Sequence, residues 1–245
     1  MTLKKTYFAA LLGAAFMACL AGCGNTGSST ADAGAKKEVS QEVSSAENDG
    51  GDAAEQTASR KSGADGSRIL IAYFSAGENS EVDVVSSASV TVVDGEAKGR
   101  LKAVADMIQA ETGGDLFSIQ TSVEYPGDGR ELIDYAAVEQ DENARPELTS
   151  HIENLEDYDT IFVGYPNWWA DLPMVLYSFF DEYDFSGKTI IPFNVHNGSR
   201  FSGTIDTIQE LEPEANVVTD GFTVSESVVA DAASDVADWL RGLGY

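Results

Sequence analysis

The sequence is poor in the residues that most often announce chemistry. Its 245 residues hold two cysteines, Cys19 and Cys23, so residues 24–245 carry no thiol and no disulfide can staple them. Histidine is as scarce. His151 and His196 stand in different segments with no Cys/His cluster, which argues against a transition-metal site, and His151 reads as a surface residue. No Gly-x-Ser-x-Gly elbow occurs, which argues against the usual α/β-hydrolase. Positive charge is sparse too: of 15 Lys and Arg and 41 Asp and Glu in the chain, residues 67–245 hold 9 and 33. A surface of that sign repels nucleic acid and anionic lipid and favours basic or neutral partners. The carboxylates read most simply as a solvated face. There is no internal repeat.

The N-terminal apolar run, Tyr7 to Leu20, is about 14 residues against the roughly 20 that a bilayer span needs. It follows Lys4 and Lys5 and ends in Leu20-Ala21-Gly22-Cys23, the layout of a cleaved export signal over residues 1–22. That end resembles a bacterial lipobox, which implies a lipid on Cys23 and an exported protein anchored at the extracytoplasmic face of the cell membrane. Residues 23–66 are rich in Gly, Ala, Ser, Asp and Glu and contain no aromatic side chain. Such a stretch buries too little apolar surface to offset its ordering entropy and is expected to be a disordered tether. Residues 67–245 are long enough for one domain with a substantial core.

Within that domain two hydrophobic periods alternate. Ile69–Phe74, Leu116–Ile119, Thr160–Tyr165, Thr189–Phe193 and Asn216–Val218 are short apolar or β-branched runs suited to buried strands. Between and after them, apolar residues recur at helical spacing around Leu101–Ile108, Leu172–Tyr183, Ile205–Leu211 and Val228–Leu240. The alternation predicts an α/β fold with a doubly wound parallel sheet, whose ligands sit beyond the carboxyl ends of the strands.

Three loops follow strands there. Ser75-Ala76-Gly77-Glu78-Asn79-Ser80 has the small and hydroxyl-bearing residues of a backbone phosphate cradle, and equally of an ordinary turn. Residues 81–98 intervene before the first helix, with Val90–Gly95 reading as an extended piece and a turn. The second loop, Gly164-Tyr165-Pro166-Asn167-Trp168-Trp169-Ala170-Asp171-Leu172-Pro173, places two tryptophans side by side at a strand end; one can pack beneath the next helix and the other is available to stack on a planar ligand. Asn194-Val195-His196-Asn197-Gly198-Ser199-Arg200-Phe201 forms the third loop, in which Ser199 could equally be a helix N-cap.

Several of these stretches resemble one family in the expected order: Ile69–Ser75, Gly113–Ile119, Tyr125-Pro126, Ala144–Leu148, Gly164–Trp169 and Asp184–Phe193 are similar to the flavodoxin-like proteins common in anaerobic bacteria. The resemblance implies a five-stranded sheet of order 2-1-3-4-5 holding flavin mononucleotide (FMN). It implies phosphate at Ser75, Gly77, Glu78 and Asn79, with Gly99 and Arg100 at the start of the first helix. The isoalloxazine would lie between Pro166, Asn167, Trp168, Trp169 and Ala170 on one side and His196, Asn197, Gly198 and Arg200 on the other. Three departures stand out. Arg100 and Leu101 follow Gly99 where relatives carry Asn-Thr, Ala170 stands where relatives commonly have Gly, and Asn197 and Arg200 replace two glycines of the third loop.

Three functions remain open on the sequence: an FMN-dependent reductase passing hydride from NAD(P)H or another donor to a quinone-like acceptor, an electron carrier serving redox partner proteins, and a flavin-less ligand-binding module on the same scaffold. Nicotinamide is scarce outside cells, which tilts an exported protein toward electron exchange with membrane or extracellular partners.

Overall fold

The structure, a computed structural model, describes residues 68–79 and 90–245. The export signal, Cys23 and the tether lie outside the described residues, as do Ser80 and residues 81–89, the first half of the segment read as preceding the first helix. In chain order the elements are β1 (Ile69–Tyr73), β2 (Val90–Val93), β3 (Glu96–Gly99), α1 (Arg100–Thr112), β4 (Asp115–Ser118), α2 (Gly129–Asp141), β5 (Thr160–Pro166), α3 (Met174–Glu182), β6 (Thr189–His196), α4 (Thr204–Leu211), β7 (Asn216–Val217), β8 (Phe222–Ser225) and α5 (Ala233–Leu243).

Each expected strand run forms a strand within a residue or two of its apolar stretch, apart from Thr189–His196, which runs three residues past its expected end. The strands line up as β4-β1-β5-β6, and β7 and β8 share the next position, all in parallel pairing. The order is the 2-1-3-4-5 of a doubly wound sheet with its fifth strand in two pieces. The break falls opposite Ile191 and Pro192 of β6, between the Ile190–Val217 and Phe193–Phe222 pairs. Pro192 has no N–H to offer a neighbour. Gly221 then returns the chain so close that a Cβ on it would lie 2.5 Å from the Pro192 carbonyl oxygen.

Side chains of β1 alternate between the two faces, as the period-2 pleat requires. Leu70, Ala72 and Phe74 join the core beneath α2, α3 and α4, with Leu132, Leu176, Phe179 and Ile208. Ile69, Ile71 and Tyr73 join the opposite core, built with Leu101, Val104 and Ile108 of α1 and Val236 and Leu240 of α5. β2 and β3 form a separate antiparallel hairpin leading into α1, where the sequence shows an extended piece and a turn.

α2 and β8 are additions to the sequence reading. Asp128 caps α2 by accepting from the N–H groups of Arg130 and Glu131, yet Glu139 occupies its buried face while Ile133, Tyr135 and Val138 are exposed. A carboxylate inside and apolar side chains outside blur the helical period.

Candidate functional site at the carboxyl edge of the sheet

The order in which strands are added reverses between β1 and β5, since the chain leaves β1 for β4 on one side and later returns to β5 on the other. The Phe74 N–H donates to the Gly164 carbonyl at 2.9 Å there, so the loops after β1 and β5 start side by side.

The first loop begins at Ser75, extended and fully buried, and continues as one 3-10 turn, Ala76–Glu78. Its turn is closed by Glu78 N–H to Ser75 O at 3.1 Å and Asn79 N–H to Ala76 O at 3.0 Å. The Glu78 carboxylate accepts from the Ser118 hydroxyl at 2.5 Å and the Tyr73 hydroxyl at 3.2 Å. The Asn79 side chain donates to Ser75 O at 3.0 Å and accepts from the Thr121 N–H at 3.1 Å. These two side chains tie the loop to the exit of β4, while Gly77 is half-buried.

Gly99, buried at the N-cap of α1, touches the same loop. A Cβ there would lie 2.4 Å from Ser75 Oγ, so only glycine lets the helix start meet the loop. Among the described residues no side chain caps the first turn of α1, and that turn has no acidic residue. The Arg100 guanidinium turns toward Glu226, with Nη1 4.0 Å from Oε2 and both side chains about five-sixths buried. Glu226 N–H in turn donates to His196 O at 2.9 Å, which joins the start of α1 to the third loop.

The second loop leaves β5 at Pro166. Asn167 is buried; its N–H donates to Val195 O at 3.0 Å and its amide donates to Arg200 O at 2.7 Å and Ser202 Oγ at 3.2 Å. Its Oδ1 is buried without a hydrogen-bond partner among the described residues. Trp168 and Asp171 then exchange backbone hydrogen bonds of 3.1 and 2.9 Å around Trp169 and Ala170, whose φ values are +51° and +64°. Two left-handed central residues make this a tight turn of the type usually built from Gly or Asn.

The two indoles part company. Trp168 packs edge-on against Phe74 and Tyr125, with ring centroids 5.8 and 5.6 Å away. Trp169 is 56% exposed and donates its indole N–H to Ile133 O of α2 at 2.9 Å. The Asp171 carboxylate collects the Tyr177 hydroxyl and the Leu172 N–H, both at 2.8 Å, the Thr207 hydroxyl at 3.3 Å and the Gln140 amide at 3.4 Å.

In the third loop His196 is buried and its Nδ1 accepts from the Gly198 N–H at 2.8 Å, so the neutral ring carries its proton on Nε2. Burial first, and then the Arg200 cation, hold the imidazole below its ordinary pKa against the pull of Glu226. Asn197, Gly198 and Arg200 are exposed. Arg200 and Ser202 are left-handed, at φ +54° and +51°. The Arg200 carbonyl is gripped by both Asn167 and Asn194, the latter at 2.9 Å.

The residues singled out from the sequence are thus drawn to one edge: Ser75 to Gly99, Phe74 to Trp168, Asn167 to Arg200, and Arg100 through Glu226 to His196. Sequence reasoning placed Asp171 and Asn194 within the second and third loops without giving either a role, and it passed over Glu226. Asn194 had a signal, an amide directly after an apolar strand run; Glu226 had none.

A family model described as Flavodoxin matches residues 89–242. Among solved structures the chain is similar to a protein assigned as a flavoprotein from Bacteroides uniformis ATCC 8492, at 26% identity over 74% of this chain and 99% of the other, with a TM-score of 0.57. It is similar to another from Bacteroides eggerthii DSM 20697, at 26% identity over 70% and 98%, with a TM-score of 0.52. No curated protein matches.

Proposed function

The chain belongs to the flavodoxin family, and on that premise we propose that residues 67–245 hold FMN at the carboxyl edge of the sheet and exchange electrons with a redox partner. The observation that carries this reading is the contact between Ser75 and Gly99, which brings the uncapped N-terminus of a 13-residue helix against the first loop. The N–H groups of a helix's first turn find no partner within the helix, and with the positive end of its dipole they favour a phosphate there. The other residues fit the group as well: Asn167 Oδ1 is a buried acceptor in want of a donor, and Trp169 is an exposed ring on a fixed turn. The flavoprotein assignments of the Bacteroides neighbours support a flavin as the ligand.

Ser75, Gly77 and the start of α1 at Gly99 would hold the phosphate. Trp169 would flank the ring from one side, and the backbone of residues 196–200, pinned by Asn167 and Asn194, would face it from the other. The bound cofactor would supply reversible one- and two-electron chemistry. The protein's share is orientation: His196 stays neutral with a proton on Nε2, and Trp168, packed on Phe74 and Tyr125, keeps water from beneath the loop. The net negative surface suits a basic or neutral partner. Titration of the purified protein with FMN tests the reading: flavin fluorescence should quench to a 1:1 endpoint, with riboflavin binding more weakly. Unquenched fluorescence at micromolar protein would refute it.

We also propose export and lipid anchoring at Cys23, on the strength of the signal-like N-terminus. Cys23→Ser should release the protein from the membrane fraction of a host that processes lipoproteins, and retention at the membrane would refute the anchor.

A further inference from the structure

We propose that Asp171 is a positioning residue: its carboxylate clamps the Trp168–Asp171 turn to three helices and thereby sets how firmly the flavin ring is held. The inference rests on the reading above for the identity of the ligand, but the clamp itself is visible in the fold.

The turn is conformationally expensive, because L side chains enter the left-handed region only at a cost and Trp169 and Ala170 both occupy it. Its two backbone hydrogen bonds fix its shape but not its direction. Direction comes from Asp171. One carboxylate oxygen accepts from the Leu172 N–H and from Thr207 on α4; the other accepts from Tyr177 on α3 and Gln140 on α2. Two donors on each oxygen is what an ionised carboxylate can accommodate and a carboxamide cannot.

The donors are themselves held. Arg145 sits 5.0 Å over the Tyr177 ring, and burial together with Asp171 pushes the Tyr177 phenol well above its ordinary pKa, so it remains a donor. Trp169 adds a second tie to α2 through Ile133 O. Asp171 is not a mere helix cap, since the N-cap of α3 is Pro173 and among the described residues no side chain caps that helix.

The test compares wild type, Asp171→Ala, Asp171→Asn and Tyr177→Phe in the full chain, with two readouts. Hydrogen–deuterium exchange of the flavin-free protein reads residues 166–173, and fluorescence titration reads affinity for FMN and for riboflavin. Asp171→Ala should speed exchange at the turn and weaken both ligands equally, each on the order of tenfold, with β5 and β6 as protected as before. Asp171→Asn should fall between it and wild type, and Tyr177→Phe should shift both readouts the same way by less. Unchanged exchange at the turn in Asp171→Ala overturns the clamp, and faster exchange with unchanged affinity overturns its role in holding the ring. Should Asp171→Ala not fold, Tyr177→Phe decides on the same two readouts. A wild type that binds neither ligand defeats the flavin reading and the ring-holding role with it, whereas the exchange comparison still judges the clamp.

Discussion

Replacing Glu139 with glutamine isolates the cost of a charge buried in α2. Glu139 is 6% exposed and accepts from the Tyr125 hydroxyl at 3.4 Å. Burial outweighs that donor and pushes the carboxyl up to about 7 from an ordinary 4.5. At 1.36 kcal/mol per pH unit a rise of that size corresponds to about 3 kcal/mol, and partial solvent access lowers the expectation to about 2 kcal/mol. The folded state holds this proton more tightly than the unfolded chain does. The stabilisation is therefore fully present below about pH 4.5, declines as pH rises, and is gone above about pH 7. Glutamine has no proton to lose. Urea unfolding of both proteins at pH 4.5 and pH 8 should show Glu139→Gln gaining about 2 kcal/mol on wild type between the two, since the other carboxylates titrate alike in both. Parallel pH profiles would refute a buried, proton-holding Glu139.

Five further substitutions probe the site loops. Gly99→Ala should cost about 1–3 kcal/mol, because its Cβ would lie 2.4 Å from Ser75 Oγ, and adding Ser75→Gly should restore most of the loss in a denaturation cycle. Trp169→Ala should weaken FMN by about 1–3 kcal/mol with little change in Tm. Trp168→Ala should instead lower stability by about 2–4 kcal/mol through lost packing on Phe74 and Tyr125, and the reverse pattern would exchange their roles. Ala170→Gly, at φ +64°, should raise stability by up to about 1 kcal/mol, or about 2–4 °C in Tm; a fall would mean the turn is not left-handed there.

The centre of the sheet was legible because β1 and β5 are buried on both faces and therefore read as unbroken apolar runs, Ile69–Phe74 and Thr160–Tyr165. β8 escaped for the opposite reason: as an outer strand it buries only Phe222 and Val224 and half-exposes Thr223 and Ser225, over four residues. α2 escaped because Glu139 lies inside it, although Asp128 and the acidic Glu131 were a readable helix start. The pairing of Trp168 and Trp169 announced a loop of interest, but their division of labour depends on Ile133 O and on Phe74, both far away in sequence. Asp171 looked like one acid among 33 because its importance lies in Gln140, Tyr177 and Thr207, which only the fold brings to it.

The most direct test of the central claim is the visible absorption spectrum of the purified protein before any flavin is added, followed by identification of what heating releases. The account predicts the two bands of an oxidised flavin and the release of FMN, not FAD, because the small first loop facing Gly99 suits a terminal phosphate. A colourless protein that also leaves the fluorescence of added FMN undiminished would contradict it.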